Sequence, residues 1–217
     1  MNPAPQYDNL AYKASGKLSG KKAIITGGDS GIGRAIALAY AKEGADIAII
    51  HLCENSDAQE TAQAVERLGR KCYVIQSDLR VEKNAADAVE QAAAQLGTID
   101  ILINNAGVQY PQNSLLDITG EQLLTTFESN FFSCFYMTKA ALPHLSNGGA
   151  IINTASINAF EGNPELIDYS STKGAIVSFT RSLALSLVDR GIRVNAVAPG
   201  PIWTPLIPSS YSSEYVS

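Results

Sequence analysis

The most informative stretch of the chain is glycine-rich and runs Thr26-Gly27-Gly28-Asp29-Ser30-Gly31-Ile32-Gly33. It follows a short β-branched run, Ala23-Ile24-Ile25, and precedes an Ala-rich segment with helical spacing. A strand, a glycine-rich turn and a helix in this order present free N–H groups and the positive end of a helix dipole to an anion. We expect Gly27 to permit the tight turn, Gly31 to let a pyrophosphate approach, and Gly33 to let the helix pack closely on the strand. The stretch therefore predicts a nucleotide-binding turn.

The rest of the chain alternates short apolar runs with longer Ala-rich stretches. Most of the short runs show no polar–apolar alternation, which is typical of strands buried on both faces. The six runs are residues 23–25, 47–50, 72–75, 99–103, 150–152 and 194–197. The helical stretches between them are about residues 31–43, 56–68, 83–96, 121–145 and 165–190, and glycines at 44, 69, 97 and 191 follow four of these, as helix C-caps require. This order predicts right-handed βαβ crossovers and a parallel α/β sheet.

Composition excludes several classes of protein. Apolar residues make up 46% of the 217 residues and the net charge is −5, so we expect a packed core and no nucleic-acid partner. No apolar run reaches the roughly 18 residues of a membrane span, and residues 1–8 do not resemble a secretory signal. Three scattered cysteines and two histidines predict neither a disulfide framework nor a metal site. These observations predict a cytoplasmic protein. The polar residues 1–20 predict an arm, the alternating pattern predicts one domain at 21–205, and the short polar end predicts a tail at 206–217.

Further motifs follow the predicted strands in order. The glycine-rich turn has the spacing Thr-Gly-x-x-x-Gly-x-Gly, and Asn104-Asn105-Ala106-Gly107, Ser156, the pair Tyr169 and Lys173, and Pro199-Gly200 come after it. As a set they resemble the short-chain dehydrogenase/reductase family over about residues 20–205. The opening Gly16-Lys17-Leu18-Ser19-Gly20-Lys21 is most similar to the branch with an N-terminal arm, described as glucose/ribitol dehydrogenase-like or as aldehyde reductases.

The resemblance implies a Rossmann-type, doubly wound parallel sheet in three α/β/α layers. It also implies an NAD(P)-dependent oxidoreductase that interconverts a carbonyl and an alcohol by hydride transfer. The catalytic set would be Asn130, Ser156, Tyr169 and Lys173. The cofactor-binding set would be Gly27, Asp29, Ser30, Gly31, Ile32, Gly33, His51, Asp78, Leu79, Asn105, Ala106, Gly107, Tyr169, Lys173, Pro199, Gly200, Ile202 and Thr204.

Tyr169 and Lys173 lie four residues apart and would share one face of a helix. An ammonium beside a phenol favours the phenolate, so we expect the Tyr169 pKa to fall toward the working pH, as a general acid/base requires. Ser156 would hold the substrate oxygen against Tyr169. Asn130 would orient a water that links Lys173 to solvent, as the resemblance suggests. We expect Trp203 either to line the substrate mouth or to pack beside the cofactor.

The sequence leaves the choice between NADP and NAD open. An acid at the end of the second strand would select NAD, but counting places His51 there. No Arg suited to a 2′-phosphate follows it. Asp29 would repel such a phosphate, whereas His51 would accommodate one.

Members of the family normally continue through a seventh strand, and this chain stops at Ser217. We therefore expect a C-terminally truncated, six-stranded version with the sixth strand at an exposed edge. One alternative is a truncated, non-catalytic NAD(P)-binding protein. Another is a sugar epimerase or dehydratase, against which the Asn104–Gly107 motif and the lack of a sizeable C-terminal domain count. The resemblance also implies a dimer or tetramer, if the C-terminal region is present, formed through residues 121–145 and 165–190.

Overall fold

The computed structural model describes Met1 and residues 3–211. Its centre is a six-stranded sheet in the order β3-β2-β1-β4-β5-β6, in which every neighbouring pair is parallel. The strands are β1 (Lys22–Thr26), β2 (Asp46–His51), β3 (Cys72–Gln76), β4 (Ile99–Asn104), β5 (Leu145–Thr154) and β6 (Arg193–Val197). The predicted Rossmann-type, doubly wound fold is confirmed.

Helices cover both faces of the sheet, which makes three layers. The α-helices are α1 (Gly31–Lys42), α2 (Asn55–Arg67), α3 (Glu82–Leu96), α4 (Gly120–Phe127), α5 (Ser133–Ala141), α6 (Asn158–Glu161), α7 (Ile167–Ser186) and α8 (Leu206–Ser210). Apolar side chains of α1 and α2 pack on one face, and those of α3, α5 and α7 pack on the other. All six residues of β2 are buried, as expected for a strand covered on both sides.

The predicted helix at 121–145 is wrong in its continuity and in its end. A single π-helical turn, Glu128–Phe132, interrupts it between α4 and α5, and β5 already begins at Leu145. Pro143 follows the end of α5 closely, where its missing N–H cannot continue a helix. Gly148 and Gly149 then lead the chain into the sheet, and a Cβ on Gly149 would lie 2.9 Å from the Asp100 carbonyl oxygen.

Four predicted helix ends are confirmed, and part of the predicted tail is helical. Gly44, Gly69, Gly97 and Gly191 all have positive φ, as predicted for residues that end helices. Residues 206–210 of the predicted tail form α8, and residues 212–217 lie outside the described residues. Strand β6 lies at the edge of the sheet, with four of its five residues exposed. Among the helices of the described residues, none has both the length and the apolar character that crossing a bilayer requires.

Candidate active site

A cleft of about 660 Å³ opens along the carboxyl ends of the strands. Its volume is in the range of small-molecule and cofactor sites. Each predicted site residue lines this cleft except Gly33 and Asn130. The predicted residues that line it are Gly27, Asp29, Ser30, Gly31, Ile32, His51, Asp78, Leu79, Asn105, Ala106, Gly107, Ser156, Tyr169, Lys173, Pro199, Gly200, Ile202 and Thr204.

The glycine-rich turn has no room for side chains at its key positions. Gly27 and Gly31 have φ of 62° and 52°, in the left-handed region that favours glycine. A Cβ on Gly33 would lie 1.9 Å from the Gly27 carbonyl oxygen, so any larger residue would push α1 away from the turn. Within the described residues, the Ser30 side chain makes no capping hydrogen bond at the start of α1. The N–H groups of the first turn are therefore directed into the cleft without a side-chain cap.

Hydrogen bonds from the end of β4 hold the turn in place. The Thr26 hydroxyl oxygen accepts from the backbone N–H groups of Asn105 and Ala106, at 2.9 and 3.0 Å. The Asn105 amide nitrogen donates in turn to the carbonyls of Thr26 and Gly27, at 3.1 and 3.2 Å. Asn105, which the resemblance assigns to the cofactor, thus also joins two neighbouring strand ends.

Arg34 supports the same turn, and the sequence reasoning missed it. Its side chain is buried and donates to the Asp29 carbonyl through Nε at 3.0 Å and Nη2 at 2.8 Å. Its Nη1 reaches Glu60 at 2.9 Å. The sequence signal was a basic residue directly after Gly33, in the first turn of a helix whose other residues are mostly small or apolar.

Tyr169 and Ser156 meet at the centre of the cleft. Both are buried, Tyr169 in α7 and Ser156 just after β5. Burial raises the pKa of Tyr169 above its usual value, and a hydrogen bond from Ser156 lowers it only in part. The expected fall of the Tyr169 pKa is therefore wrong for this structure, because desolvation of the phenolate outweighs the stabilising contact. At neutral pH the side chain is a phenol that can donate a proton.

Lys173 lies beneath Tyr169 with almost no contact with solvent. Its side-chain nitrogen donates to the Thr154 carbonyl at 2.8 Å and lies 5.4 Å from the centre of the Tyr169 ring. The residue is 3% exposed, and burial lowers the pKa of its amine to about 8. The amine therefore changes charge close to physiological pH, where a proton relay needs it to.

Asn130 lies in the π-helical turn, a feature that the sequence did not predict. Its side-chain oxygen accepts from the Val108 N–H at 2.7 Å, and its nitrogen donates to the Val108 carbonyl at 2.9 Å. The same nitrogen donates to Thr172 at 3.1 Å. Through these hydrogen bonds, Asn130 connects the segment after β4 to α7, beside Lys173. Single π-turns inside helices often mark functional positions.

A buried carboxylate, Asp168, precedes Tyr169 and was also missed. One of its oxygens accepts from the Tyr169 N–H at 2.8 Å. The other accepts from Gln122 at 3.0 Å and from Thr126 at 2.8 Å, both on α4. Asp168 therefore joins the first turn of α7 to α4 and fixes the position from which Tyr169 projects.

The end of the cleft beside β2 is polar, and some buried polar atoms there lack hydrogen-bond partners among the described residues. His51 is 3% exposed, lines the cleft, and leaves both ring nitrogens without a hydrogen-bond partner among the described residues. Glu54 lines the same end, and the prediction from the strand end did not include it. Nearby, Arg80 donates to both carboxylate oxygens of Asp78, and this pairing lowers the pKa of Asp78.

Trp203 lies outside the lining of the cleft, so the expectation that it lines the substrate mouth is wrong. Its indole N–H donates to the Pro3 carbonyl at 2.8 Å. The neighbouring Ile202 and Thr204 do line the cleft. Among the residues that the structure describes, no three His, Cys, Asp or Glu side chains are grouped to hold a metal ion.

Comparisons with known proteins agree with this geometry. The family model described as "short chain dehydrogenase" matches residues 21–214. An uncharacterized oxidoreductase of Bacillus subtilis, YhdF, is 61% identical over 100% of this chain and 75% of its own length. The chloroplastic NADPH-dependent aldehyde reductase 1 of Arabidopsis thaliana is 47% identical over 100% of this chain and 77% of its own length.

Two solved structures share the fold closely. A short chain dehydrogenase from Burkholderia cenocepacia, in complex with NADP, is 36% identical with a TM-score of 0.86 and covers 92% of this chain and 82% of its own. The 3-ketoacyl-(acyl-carrier-protein) reductase from Brucella melitensis, complexed with NADH, is 33% identical with a TM-score of 0.83, over 89% of this chain and 81% of its own.

The burial of Lys173 predicts a distinct pH dependence of stability. Between its folded pKa of about 8 and its usual value of 10.5, the unfolded chain holds a proton that the folded chain has lost. Raising the pH through this window therefore stabilises the folded state. From pH 7 to pH 10, we expect the unfolding free energy of the wild type to rise by about 2–3 kcal/mol relative to that of Lys173→Met.

Urea unfolding at several pH values measures this difference. Lys83→Met, at an exposed position of α3, is the matched control and should follow the wild-type curve. Parallel curves for the wild type and Lys173→Met would show that the amine is not desolvated in solution.

Proposed function

The chain belongs to the short-chain dehydrogenase family of oxidoreductases, and we propose that it interconverts a small carbonyl compound and its alcohol with NADPH or NADH, using Tyr169 as the general acid/base. One observation carries the proposal. Tyr169, whose pKa Ser156 lowers in part and whose ring centre lies 5.4 Å from the Lys173 nitrogen, lies in the same cleft as the glycine-rich turn. The cleft thus joins a proton donor to a site with the features of a dinucleotide site.

The residues of the cleft fit a nicotinamide dinucleotide on three counts. The start of α1 has no side-chain cap from Ser30 and suits a diphosphate. Gly31 leaves open the approach beside Thr204 that a side chain would fill, since its Cβ would lie 3.1 Å from that of Thr204. At the end beside β2, the unpartnered nitrogens of His51 suit the ribose hydroxyls or a phosphate. When bound, this cofactor supplies or accepts the hydride.

The protein's own groups handle the proton and the substrate oxygen. Ser156 and Tyr169 both direct hydroxyl groups at the carbonyl oxygen of the substrate. In the direction of reduction, the carbonyl carbon receives the hydride and its oxygen receives the phenolic proton of Tyr169. Because burial keeps Tyr169 protonated, reduction starts from the protonation state that it needs. Lys173, with a pKa of about 8, then restores the proton through a relay that Asn130 orients.

The substrate would enter between the segments that follow β5 and β6. Asn163 and Leu166, from the segment between β5 and α7, line the cleft together with Leu206 and Ile207 of α8. This wall combines amide and aliphatic groups and suits a small, partly polar carbonyl compound. The relative named as an aldehyde reductase supports this class of substrate. The domain boundaries at 20 and 205 and the cytoplasmic location remain predictions.

Replacing Tyr169 by Phe removes the acidic proton and keeps the ring. We expect kcat for reduction of aldehydes or ketones to fall about 100- to 10,000-fold, the range for loss of a general acid. NADPH binding should persist, because the phenol acts on the substrate oxygen. The assay follows the loss of reduced-cofactor absorbance with a panel of small aldehydes and ketones.

Tyr73→Phe, on β3 and outside the cleft, is the matched control and should keep the wild-type rate. Full activity of Tyr169→Phe would contradict the mechanism. Tight NADPH binding by the wild type without turnover of any carbonyl would instead favour the non-catalytic binding protein.

We propose that His51 contacts the 2′ position of the adenine ribose and thereby favours NADPH over NADH. An imidazole can donate to a phosphate or a hydroxyl, whereas a carboxylate accepts from ribose hydroxyls and repels a phosphate. In His51→Asp, we expect the ratio of kcat/KM for NADPH to that for NADH to fall by about tenfold or more, which is about 1.4 kcal/mol of discrimination.

His51→Asn is the control, because it removes the imidazole without adding a charge. Its preference should lie between those of the wild type and His51→Asp. An unchanged ratio in His51→Asp would place the residue away from the 2′ position.

We also propose that two copies associate through α5 and α7. Phe135 is 42% exposed, and its ring packs on Phe179 with the centroids 5.5 Å apart, so the two helices share an aromatic face. Leu185 on α7 is 79% exposed. We expect Phe135→Glu to shift the protein toward monomer in light scattering, because it would bury a charge in the interface. Leu10→Glu, on the arm, is the control and should leave the measured mass unchanged. An unchanged mass for Phe135→Glu would contradict the proposed interface.

A further inference from the structure

The N-terminal arm, residues 3–20, is anchored at its base by one buried carboxylate. The side chain of Glu43, directly after α1, accepts from the Tyr12 hydroxyl and from the backbone N–H groups of Ser15 and Lys17, the last two at 3.2 and 2.7 Å. The Leu18 N–H donates to the Glu43 carbonyl at 3.0 Å. The arm therefore starts from a fixed point at the end of α1 that lies away from the cleft.

From there the arm runs along α1 and α2 toward the cleft. Asp8 forms an ion pair with Lys42, and the Tyr7 hydroxyl donates to Glu60 at 3.2 Å. The Tyr7 ring lies 5.0 Å from the guanidinium of Arg34, which holds the Asp29 carbonyl in the glycine-rich turn. The middle of the arm thus contacts the side chain that supports this turn.

The end of the arm reaches the segment on the opposite side of the cleft opening. The Trp203 indole donates to the Pro3 carbonyl at 2.8 Å, a contact between residues 200 positions apart. Residues 198–205, between β6 and α8, form neither helix nor strand. Pro199, Gly200, Ile202 and Thr204 of this segment line the cleft, and Thr204 lies against Gly31.

We propose that the arm is a strap that retains the cofactor, by fixing the segment after β6 to the glycine-rich turn through the Pro3–Trp203 hydrogen bond. Loops that close over a bound ligand move on microsecond-to-millisecond timescales, and in many enzymes their opening limits the rate of release. A tether on Trp203 restricts this opening where Thr204 meets Gly31. Trp203 is then a positioning residue, and the inference rests on the proposed dinucleotide site.

Two variants remove the tether from opposite sides. One begins with an initiator methionine followed directly by Tyr7, which deletes the Pro3 carbonyl and keeps the contacts of Tyr7, Asp8 and Glu43. The other is Trp203→Phe, which keeps an aromatic ring and loses the N–H donor. The double variant completes a thermodynamic cycle. Leu10→Ala, at an arm position that is 90% exposed, is the control.

The measurement is the rate of NADPH release, followed by its fluorescence after mixing the complex with excess NADP. We expect release to be about three- to tenfold faster in each single variant, the effect of one hydrogen bond. The double variant should release no faster than either single one, because both remove the same contact. Leu10→Ala should match the wild type.

The tryptophan signal gives a readout independent of activity. Trp203 is the only tryptophan of the chain, so in the shortened variant its emission should move to longer wavelength and acrylamide should quench it more strongly. Urea midpoints within error of the wild type would exclude general destabilisation as the cause of faster release.

The possible outcomes separate the two proposals. A wild type that does not bind NADPH would overturn the proposed cofactor site. A wild type that binds NADPH, with unchanged release in both single variants, would overturn the strap alone. Additive effects in the double variant would also overturn it, because arm and indole would then act separately.

Discussion

The close packing of α1 on the turn after β1 is the constraint on which the cleft depends. A side chain at Gly33 would meet the Gly27 carbonyl at 1.9 Å, so the start of the helix and the turn are in direct backbone contact. Thr26 and Asn105 then tie this turn to the neighbouring strand end, and Arg34 holds it from the outer side. The anion-binding end of α1 is therefore fixed before any ligand arrives, which removes an ordering cost from binding.

Burial acts in opposite directions on the two titrating groups of the site. It raises the pKa of the Tyr169 phenol and lowers that of the Lys173 amine, and in both cases it favours the neutral form. A neutral phenol can give up its proton as charge develops on the substrate oxygen. With a pKa of about 8, Lys173 still holds its proton at neutral pH, and this ammonium gives the replacement proton to the Tyr169 phenolate more readily than a solvated lysine would. One physical cause, exclusion of water, thus prepares both the donor and its supply.

The sequence predicted the sheet from local patterns, and the resemblance to the family implied most of the residues that line the cleft. Buried strands are continuous apolar runs, and residues that follow parallel strands meet at one edge of the sheet whatever their separation along the chain. This rule brought His51, Asn105, Ser156 and Pro199 to one cleft. The glycine positions could be predicted in the same way, since only glycine satisfies the turn.

What the sequence missed depends on contacts between distant segments. The π-turn at Asn130 is stable because its side chain binds Val108 and Thr172, and no local spacing encodes these partners. The rise of the Tyr169 pKa follows from how deeply α7 packs, which a four-residue spacing does not contain. The role of Asp168 depends in the same way on Gln122 and Thr126, its donors on α4, which no local pattern around Asp168 indicates.

The arm extends the same reasoning to the outer wall of the cleft. The inner wall consists of strand ends and helix starts, whose backbones are held by regular hydrogen bonds. The outer wall after β6 lacks them, so its position depends on a few contacts with other parts of the chain. The indole N–H of Trp203 makes one of these contacts, and the arm supplies its acceptor. The arm also contacts Arg34, which holds the glycine-rich turn. One surface segment therefore contacts both the segment after β6 and the side chain that supports the turn. Strands and helices thus position the groups that act on the substrate, while the hydrogen bond between the arm and Trp203 governs how long the cleft stays closed.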